Sequence, residues 1–412
     1  MECRTVIMLF LRGATLASKF LLVIFLAKFA TYKNLADYTI IAVTISYLLF
    51  FLGFDFYTYS TREIIKKGFT KSGELLCNQL YLYISMYLIL IPIVYGLNYF
   101  SVLSVGVLFY FVVITEHFAQ ECMRIIIINN KPVKANFQFF LRSSFWIYIY
   151  IAYCYWKATY SLDILLLFWL ISNVCSIVYS VSEFKMINYK DDKIYRVDFK
   201  WIKKGVAIAI PLLVTTLMLR GGYVTDRYIL KYLSSTEVLA VYSFYSNMSN
   251  ALIAFIDAAV IMIFYPKVIS AYNELNIEEY NKTLVLFKRN VVKVGCCSFF
   301  ILSVAVPVIC LFLNKSEFIN SIIMFYILLT SAFIYSFSLV YHYELYARHK
   351  DFILFKCTFF SFLLTVIGQY VFASLFGGIG MAISILLFSL MLLSTKYLSI
   401  INIKKNECFG NS

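Results

Sequence analysis

Three ionisable residues lie within long apolar runs, where a charge needs either a partner or a function. Lys19, Arg220 and Asp257 are each flanked mostly by aliphatic and aromatic residues. A charged side chain at the centre of a bilayer costs roughly 3 kcal/mol or more. A lysine or arginine in such a place can hold an anion, and arginine makes forked contacts that lysine cannot. A carboxylate without a cation there can take up a proton, so Asp257 is a candidate for binding a coupling ion.

The composition places these residues in a membrane protein. Hydrophobic residues make up 62% of the 412 residues and charged residues only 14%, whereas soluble domains carry about 25% charged residues. Backbone groups in lipid must be satisfied within their own segment, so the apolar runs are predicted to be helices in an all-α integral membrane protein. Arg4 and Arg12 interrupt the first run and no small-residue cleavage site follows it, which predicts a retained helix and not a cleaved signal.

Twelve apolar segments are long enough to cross a bilayer, and the loops between them alternate in charge. The predicted spans are 6–29, 38–58, 75–96, 100–127, 135–156, 161–184, 205–231, 238–265, 287–313, 318–346, 351–374 and 378–403. The longest connection carries the basic residues Lys185, Lys190, Lys193, Arg196, Lys200, Lys203 and Lys204. Because basic residues concentrate in cytoplasmic loops, this connection and both termini are predicted to be cytoplasmic.

This connection also divides the chain into two halves of six predicted spans. The predicted organisation is an N-terminal lobe, 1–184, a cytoplasmic linker, 185–204, and a C-terminal lobe, 205–412. Offsets of 201 to 204 residues relate Lys19 to Arg220, Lys28 to Lys231, Tyr38 to Tyr242 and Asp55 to Asp257. Two similar lobes related by a pseudo-twofold axis are a recurrent transporter plan, with the substrate site at the interface.

Several short motifs are similar to those of a known family. They are Leu26-Ala27-Lys28, Ala36-Asp37-Tyr38, Gly53-Phe54-Asp55, Thr61-Arg62-Glu63, Ile210-Pro211-Leu212-Leu213, Asp226-Arg227-Tyr228-Ile229-Leu230, Leu239-Ala240-Val241-Tyr242-Ser243, Tyr265-Pro266 and Gly377-Gly378-Ile379-Gly380-Met381-Ala382. In this order they resemble the Wzx-type polysaccharide flippases, the O-antigen repeat-unit translocases of the multidrug/oligosaccharidyl-lipid/polysaccharide exporter superfamily. Asp37 departs from the pattern, since the family often has glycine before that tyrosine.

The resemblance implies a function that the composition merely permits. It implies that the protein translocates undecaprenyl-diphosphate-linked oligosaccharide repeat units across the cell inner membrane, for O-antigen or capsule synthesis, by alternating access. The implied partners are the lipid-linked oligosaccharide and membrane lipids, together with a polysaccharide polymerase and a chain-length regulator. The sequence does not identify the sugar, the coupling ion or the oligomeric state.

In that setting the basic residues of the spans are predicted to bind the diphosphate. Lys19 and Arg220 occupy equivalent places in the two halves, and a cation from each side suits a doubly charged group. Arg12 shares a helix face with Lys19, and Arg227 shares one with Arg220. The alternative is that these side chains extend to the interfacial headgroups, above all Arg227 and Lys231.

The acidic residues are predicted to bind the coupling ion or to form a gate. Asp257, Asp55 and Asp226 are the candidates. The alternative for Asp257 is a salt bridge to the other lobe, for instance to Arg12, that closes the cytoplasmic side. Pro211 interrupts a helix hydrogen bond, which predicts either a flexing point or an ordinary kink.

Other charged residues are predicted to pair structurally. Hairpin geometry places Arg12 level with Asp55 and Glu121 level with Arg142. Helix spacing predicts a Glu121–Arg124 pair and a surface Glu344–Arg348 pair.

Several other functions are disfavoured by the sequence. It has no G-x-x-x-x-G-K-[ST] phosphate loop, and its ten cysteines lack metal-ligand spacing, so no cofactor or metal is expected. No basic run is interleaved with aromatics as nucleic-acid modules are, which argues against a nucleic-acid partner despite the net charge of +14. A polymerase or glycosyltransferase would need a sizeable external loop, and no long one is predicted, so the protein is not expected to be an enzyme. The closer rival is a multidrug or cation exporter of the same superfamily, for which an acid-lined cavity is expected.

Overall fold

The computed structural model describes residues 3–100, 105–185, 187 and 196–409, with the side chains of 3–6, 9 and 406–409 set aside. Lys190 and Lys193 of the predicted linker, and 101–104 of the fourth predicted span, lie outside this part of the chain. Where the structure describes the chain it is all-α, as predicted.

The helices follow the predicted spans closely. They are α1 Cys3–Phe29, α2 Tyr32–Gly53, α3 Tyr57–Lys67, α4 Gly73–Tyr99, α5 Val107–Ile128, α6 Pro132–Phe140, α7 Trp146–Lys157, α8 Leu162–Phe184, α9 Phe199–Gly221, α10 Thr225–Leu233, α11 Thr236–Ile256, α12 Met262–Asn273, α13 Ile277–Leu313, α14 Ser316–Asn320, α15 Ile322–Ala347 and α16 Asp351–Phe409. Each of the twelve predicted spans coincides with one helix, a consecutive pair, or one half of α16. Over the described residues, nine helical segments are long and apolar enough to cross a membrane.

Two π turns interrupt the helices at charged residues. Leu141–Phe145 joins α6 to α7 and contains Arg142, and Asp257–Ile261 joins α11 to α12 and begins at Asp257. A π turn adds one residue to a helical turn and is frequent at functional sites. The side chains beyond each turn therefore face a direction that uniform helical spacing does not predict.

The second predicted span differs most from the structure. Helix α2 begins at Tyr32 and ends at Gly53, whereas the prediction was 38–58. Phe54 and Asp55 follow with φ of 53° and 48°, a left-handed conformation that side chains rarely adopt. The helix therefore breaks there, and α3 starts two residues later. The turn between α1 and α2 lies at 30–31, and Lys33 is already in the first turn of α2. This changes which residues of the two helices lie level with each other when they are counted from the turn.

The start of α13 was also missed. The helix begins at Ile277 instead of 287, because its first two turns, 277–283, are mostly polar and carry little hydropathy signal. The side chain of Asn276 caps it by accepting a hydrogen bond of 3.0 Å from the backbone of Glu279.

The contacts divide the chain into two compact units. Unit 1 comprises 1–26 and 41–217, and unit 2 comprises 27–40 and 218–412. The tip of the first helical hairpin, 27–40, thus belongs to the unit that holds most of the second half of the chain. The predicted lobes, 1–184 and 205–412, stay a prediction.

Helix α16 contains the boundary predicted between the last two spans. Gly377 has φ 57° and ψ −131°, which interrupts the helix and which only glycine adopts without strain. Three residues later, a Cβ added to Gly380 would lie 1.9 Å from the backbone oxygen of Phe372. The helix before the break therefore packs directly on the backbone of the helix after it.

We predict that Gly380→Ala destabilises the protein by about 1–3 kcal/mol, since backbone atoms cannot move aside as a flexible side chain can. The thermal unfolding temperature of the purified protein in detergent measures this. Gly368→Ala in the same helix is the matched control, because its Cβ would meet nothing closer than 3.8 Å. Equal unfolding temperatures for the two variants would contradict the packing described.

Candidate functional site

The most extensive group of buried ionisable side chains in unit 1 is centred on α5, and we call it the α5 network. It consists of Glu116, His117 and Glu121 with the side chains that contact them. These three residues expose 6%, 1% and 5% of their surface. His117, Glu121 and Arg124 lie at i, i+4 and i+7, so one stripe of α5 brings them together.

Glu121 is held by donors from two helices. Tyr83 donates a hydrogen bond of 2.9 Å and Gln79 one of 3.1 Å, both from α4 to Oε2. Arg124 donates to Oε1 from the next turn of α5, which confirms the predicted Glu121–Arg124 pair. Three donors therefore satisfy the two oxygens of this one carboxylate.

Arg142 has a different direct partner from the predicted one. Its Nε lies 3.4 Å from Oε1 of Glu116, and Trp169 of α8 donates a 2.9 Å hydrogen bond to the other oxygen of that carboxylate. The predicted Glu121–Arg142 pair is wrong as a contact, because the π turn at 141–145 redirects the arginine toward Glu116. Glu116 was not predicted as the partner of Arg142.

Lys19 lies beside this buried pair but is itself exposed. Its electrostatic neighbours are Glu116 and Arg142. Among the described residues Lys19 has no ion pair within 4 Å and no side-chain hydrogen bond. Arg12, seven residues earlier in the same helix, is also exposed, and its Nε donates a 2.8 Å hydrogen bond to Asn136. The exposed Lys19 side chain therefore lies near Glu116 and Arg142, whose charges balance each other.

The predicted Arg12–Asp55 pair is wrong. Asp55 is 7% exposed, it accepts a hydrogen bond from Thr216 of α9, and the cation that acts on it is Arg124. The hairpin counting failed because the turn between α1 and α2 lies earlier than predicted and because α2 ends before Asp55.

In unit 2, Arg220 and Asp257 act on the same tyrosine. Both are exposed, Arg220 at the end of α9 and Asp257 at the start of the π turn, and both interact electrostatically with Tyr335 of α15. The sequence alone did not indicate a cation for Asp257. The interruption of helix at 222–224 and the π turn at Asp257–Ile261 change the directions of the side chains, so Arg220 and Asp257 both come close enough to Tyr335 to act on it.

Asp226 and Arg227 form a buried ion pair. They expose 1% and 2% of their surface, and Nη1 of the arginine lies 3.1 and 3.2 Å from the two carboxylate oxygens. Tyr242 donates a 2.7 Å hydrogen bond to Asp226, and Arg227 donates one of 3.1 Å to Ser246. This pair is buried, whereas Lys19 and Arg220 are exposed.

Two further predicted features have a different setting from the expected one. Helix α9 remains helical through Pro211 to Gly221, and the interruption comes at 222–224. Glu344 is completely buried instead of lying in a surface pair, and its carboxylate is 2.8 Å from Lys404. The predicted Glu344–Arg348 surface pair is therefore wrong about the location of Glu344.

The hairpin tip, 27–40, makes polar contacts with the turn between α13 and α15. Tyr32 donates a 2.5 Å hydrogen bond to Glu317, and Lys315 donates one of 3.0 Å to the backbone oxygen of Ala30. Lys28 lies 3.0 Å from the ring centroid of Phe312. We call these three contacts the tip latch.

Solved structures of membrane transporters share this fold. A multidrug resistance MATE family transporter of the MOP superfamily, in an inward-facing conformation, is 13% identical, with a TM-score of 0.72 over 96% of this chain and 95% of that one. The lipid II flippase MurJ, in an inward closed conformation, is 14% identical, with a TM-score of 0.74 over 97% and 87%. The Vibrio cholerae MATE transporter VcmN, in a mutant form, is 12% identical, with a TM-score of 0.66 over 98% and 96%.

These identities establish the fold and nothing finer. No family model matches the sequence, and no curated protein matches it either. The chain therefore has the all-α fold of MATE transporters and MurJ, in a multi-pass membrane protein.

We predict that Glu116→Gln costs about 3 kcal/mol of stability, because it leaves the buried Arg142 guanidinium without its counter-charge. Adding Arg142→Met to the same variant should restore much of that loss. Thermal unfolding of the two single variants and the double variant measures the coupling. Strictly additive losses would show that the two side chains do not interact.

Proposed function

We propose that this protein flips undecaprenyl-diphosphate-linked oligosaccharides across the cell inner membrane by alternating access, for the synthesis of a surface polysaccharide. The fold supports a transporter, since its solved neighbours include MATE transporters and a lipid II flippase. The motifs from Leu26 to Ala382 support the polysaccharide branch of the superfamily. Whether the product is O-antigen or capsule depends on the sugar of the substrate, and neither the fold nor the motifs identify that sugar.

The single observation that carries the proposal is the exposed side chain of Lys19 within an apolar helix. A cation at membrane depth is costly, and most charged side chains of the α5 network are paired. Lys19 is accessible and has no ion pair in the described part of the chain. An anionic substrate group would supply the missing counter-charge, and a diphosphate is such a group.

Arg220 is proposed as a second ligand of the diphosphate. It is exposed in unit 2, as Lys19 is in unit 1, and its guanidinium can contact two phosphate oxygens at once. Asp257 acts on Tyr335 together with Arg220 and is proposed to compete with the substrate for this arginine, as a gate or as a coupling-ion site. Arg12 is proposed as an auxiliary cation on the face of Lys19.

The other predicted site residues receive different proposals. Arg227 and Asp226 are enclosed as a pair, so we assign them to the stability of unit 2. Asp55 is proposed to respond to Arg124, as argued below. Pro211 is proposed as a flexing point of α9.

Alternating access needs contacts that break, and the tip latch is proposed to be one of them. Its polar contacts join the first hairpin to the turn at 314–321, which the charge pattern places on the external side. The latch is proposed to hold the external side closed while substrate enters from the cytoplasm.

The second candidate function is multidrug or cation export. The MATE neighbours favour it, because one of them is described as a multidrug resistance transporter. An exporter of cations would be expected to bind its substrate through Asp257 and not through Lys19. The two functions therefore predict opposite effects of the same substitutions.

We predict that Lys19→Ala and Arg220→Ala each lower the export of lipid-linked oligosaccharide at least ten-fold, since each removes a charge-assisted contact. Accumulation of lipid-linked repeat units in cells that carry each variant measures this, with protein levels compared by immunoblot. Lys19→Arg should retain part of the activity.

The control is Lys66→Ala, which removes a lysine whose side chain is 75% exposed and which should export normally. Normal export by both Lys19→Ala and Arg220→Ala would exclude the proposed ligands. Loss of drug resistance in Asp257→Asn but not in Lys19→Ala would favour the exporter.

We also predict that Tyr32→Phe opens the tip latch. The hydrogen bond from Tyr32 lowers the pKa of Glu317, so the contact stabilises the closed tip above the ordinary pKa of that carboxyl. The contact is lost as the pH falls through the lowered value. Protection of the backbone amides at 314–321, corrected for the intrinsic exchange rate at each pH, should fall several-fold in Tyr32→Phe at neutral pH, and in the wild-type protein on acidification. Tyr232→Phe, at a tyrosine that is 83% exposed, is the control. Unchanged exchange in Tyr32→Phe would remove the latch from the account.

A further inference from the structure

His117 is a buried titratable group with one unsatisfied nitrogen. Its Nδ1 lies 2.7 Å from the hydroxyl of Tyr87, while Nε2 has no hydrogen-bond partner in the described part of the chain. The nearest charged atom to Nε2 is Oε1 of Glu121, at 3.8 Å, which is too long for a hydrogen bond. A buried polar atom without a partner is uncommon and costs stability, so its retention points to a function.

Helices α2 and α4 enclose the imidazole ring of His117 on two sides. A Cβ added to Gly53 of α2 would lie 3.1 Å from Nε2, so α2 closes that side. The rings of Tyr83 and Tyr87 pack edge-on against the imidazole from α4, with centroids at 4.7 and 5.6 Å. A shift of about 1 Å toward Glu121 would bring Nε2 to the usual hydrogen-bond distance of about 2.8 Å.

Protonation of the imidazole would satisfy both nitrogens. A neutral ring has one donor and one acceptor, and neither tautomer makes a hydrogen bond at Nε2 in this geometry. An imidazolium donates from both nitrogens, to the Tyr87 hydroxyl and to the Glu121 carboxylate. The Glu121 carboxylate accepts hydrogen bonds from Tyr83, Gln79 and Arg124 in the state described.

The charged groups that face the ring oppose each other. Glu121 favours an imidazolium, and Arg124 and Arg142 disfavour it. The other titratable residues of this cluster are Glu116 and Cys122 of α5 and Tyr83 and Tyr87 of α4. In the state described, Arg124 donates to Oε1 of Glu121, the oxygen nearest to Nε2 of His117 in that carboxylate. Uptake of a proton by His117 therefore requires this arginine to move.

Arg124 has a second acidic partner to which it can move. Asp55 interacts with it electrostatically, and the guanidinium already lies 3.5 Å over the ring of Tyr57, two residues after Asp55. Asp55 is in the left-handed break after α2 and binds Thr216 of α9. Exchange of Arg124 from Glu121 to Asp55 would therefore change the hydrogen bonding of α9.

We propose that His117 and Glu121 form a proton-binding site, with the proton as the coupling ion of transport and Arg124 as the element that exchanges partners. A proton from water bonds to the unprotonated ring nitrogen, which is Nε2 when Nδ1–H donates to Tyr87. The imidazolium pairs with Glu121, and Arg124 transfers to Asp55. Release of the proton to water reverses these steps, so no other reactant is consumed. The proton-binding site stands on geometry alone, whereas its role as coupling site rests on the proposed transport function.

Proton binding can be measured without any substrate. The chain has three histidines, His117, His342 and His349, so full-length protein labelled at histidine Cε1 and placed in lipid nanodiscs gives three ¹³C resonances. His117→Gln identifies the resonance by its loss. His349→Asn is the matched control, at an exposed position with φ 55° that asparagine tolerates.

The result expected is a His117 resonance that titrates between pH 4 and 8, with a midpoint that two substitutions move in opposite directions. Glu121→Gln removes the counter-charge and should lower the midpoint by about one pH unit or more, whereas Arg124→Gln removes a like charge and should raise it by a similar amount. If Glu121→Gln does not fold, Arg124→Gln alone decides the sign. A His117 resonance that stays constant over this range in both the wild type and Arg124→Gln, or that both variants move in the same direction, would overturn the site.

Transport in proteoliposomes then tests the coupling. Undecaprenyl-diphosphate-linked oligosaccharide flipped by the wild type should respond to an imposed pH gradient, and His117→Gln should flip it without that response. An equal response in both would overturn the coupling role. Absence of flipping by the wild type would be a failure of the proposed function, and the resonance titration would still decide whether the site binds protons.

Discussion

Charge compensation inside an apolar shell is the constraint on which the rest of this structure depends. A chain with so few charged residues still buries carboxylates and guanidinium groups, and each must be paired because unpaired charges in low dielectric are costly. Glu116 with Arg142, Glu121 with Arg124, and Asp226 with Arg227 meet this requirement. Lys19 and Arg220 differ from these buried pairs, since both are exposed and both lie in apolar helices.

Local departures from regular helix place these charges. The π turns redirect Arg142 and Asp257, and the left-handed residues after α2 put Asp55 beside α9. Irregular backbone within membrane spans is tolerated where it lines a cavity or is enclosed by protein, and transporters place ion sites at such breaks. The irregular segments and the ionisable residues therefore belong to one arrangement.

The sequence predicted the helices well because a run of apolar residues carries its own signal. The break at Gly377, for example, lies between the predicted spans 351–374 and 378–403. It predicted contacts between helices poorly, since hairpin counting assumes straight helices and a known turn. Arg12 with Asp55 failed for the second reason, and Glu121 with Arg142 for the first.

Some of the missed residues did have a signal. The spacing of His117, Glu121 and Arg124 at i, i+4 and i+7 is present in the sequence and places the three side chains on one stripe of a helix. Glu116 and Tyr335 had no such signal, because their roles arise from residues distant in the chain, Arg142 in one case and Arg220 with Asp257 in the other.

The most direct test of the account is the choice of substrate by the purified protein. Proteoliposomes would be loaded with fluorescent undecaprenyl-diphosphate oligosaccharide, with a neutral glycolipid of the same sugar, or with a lipophilic cationic dye. The account predicts movement of the diphosphate-linked lipid, at least ten-fold less of the neutral one, and none of the dye. Transport of the dye without transport of the diphosphate-linked lipid would contradict it.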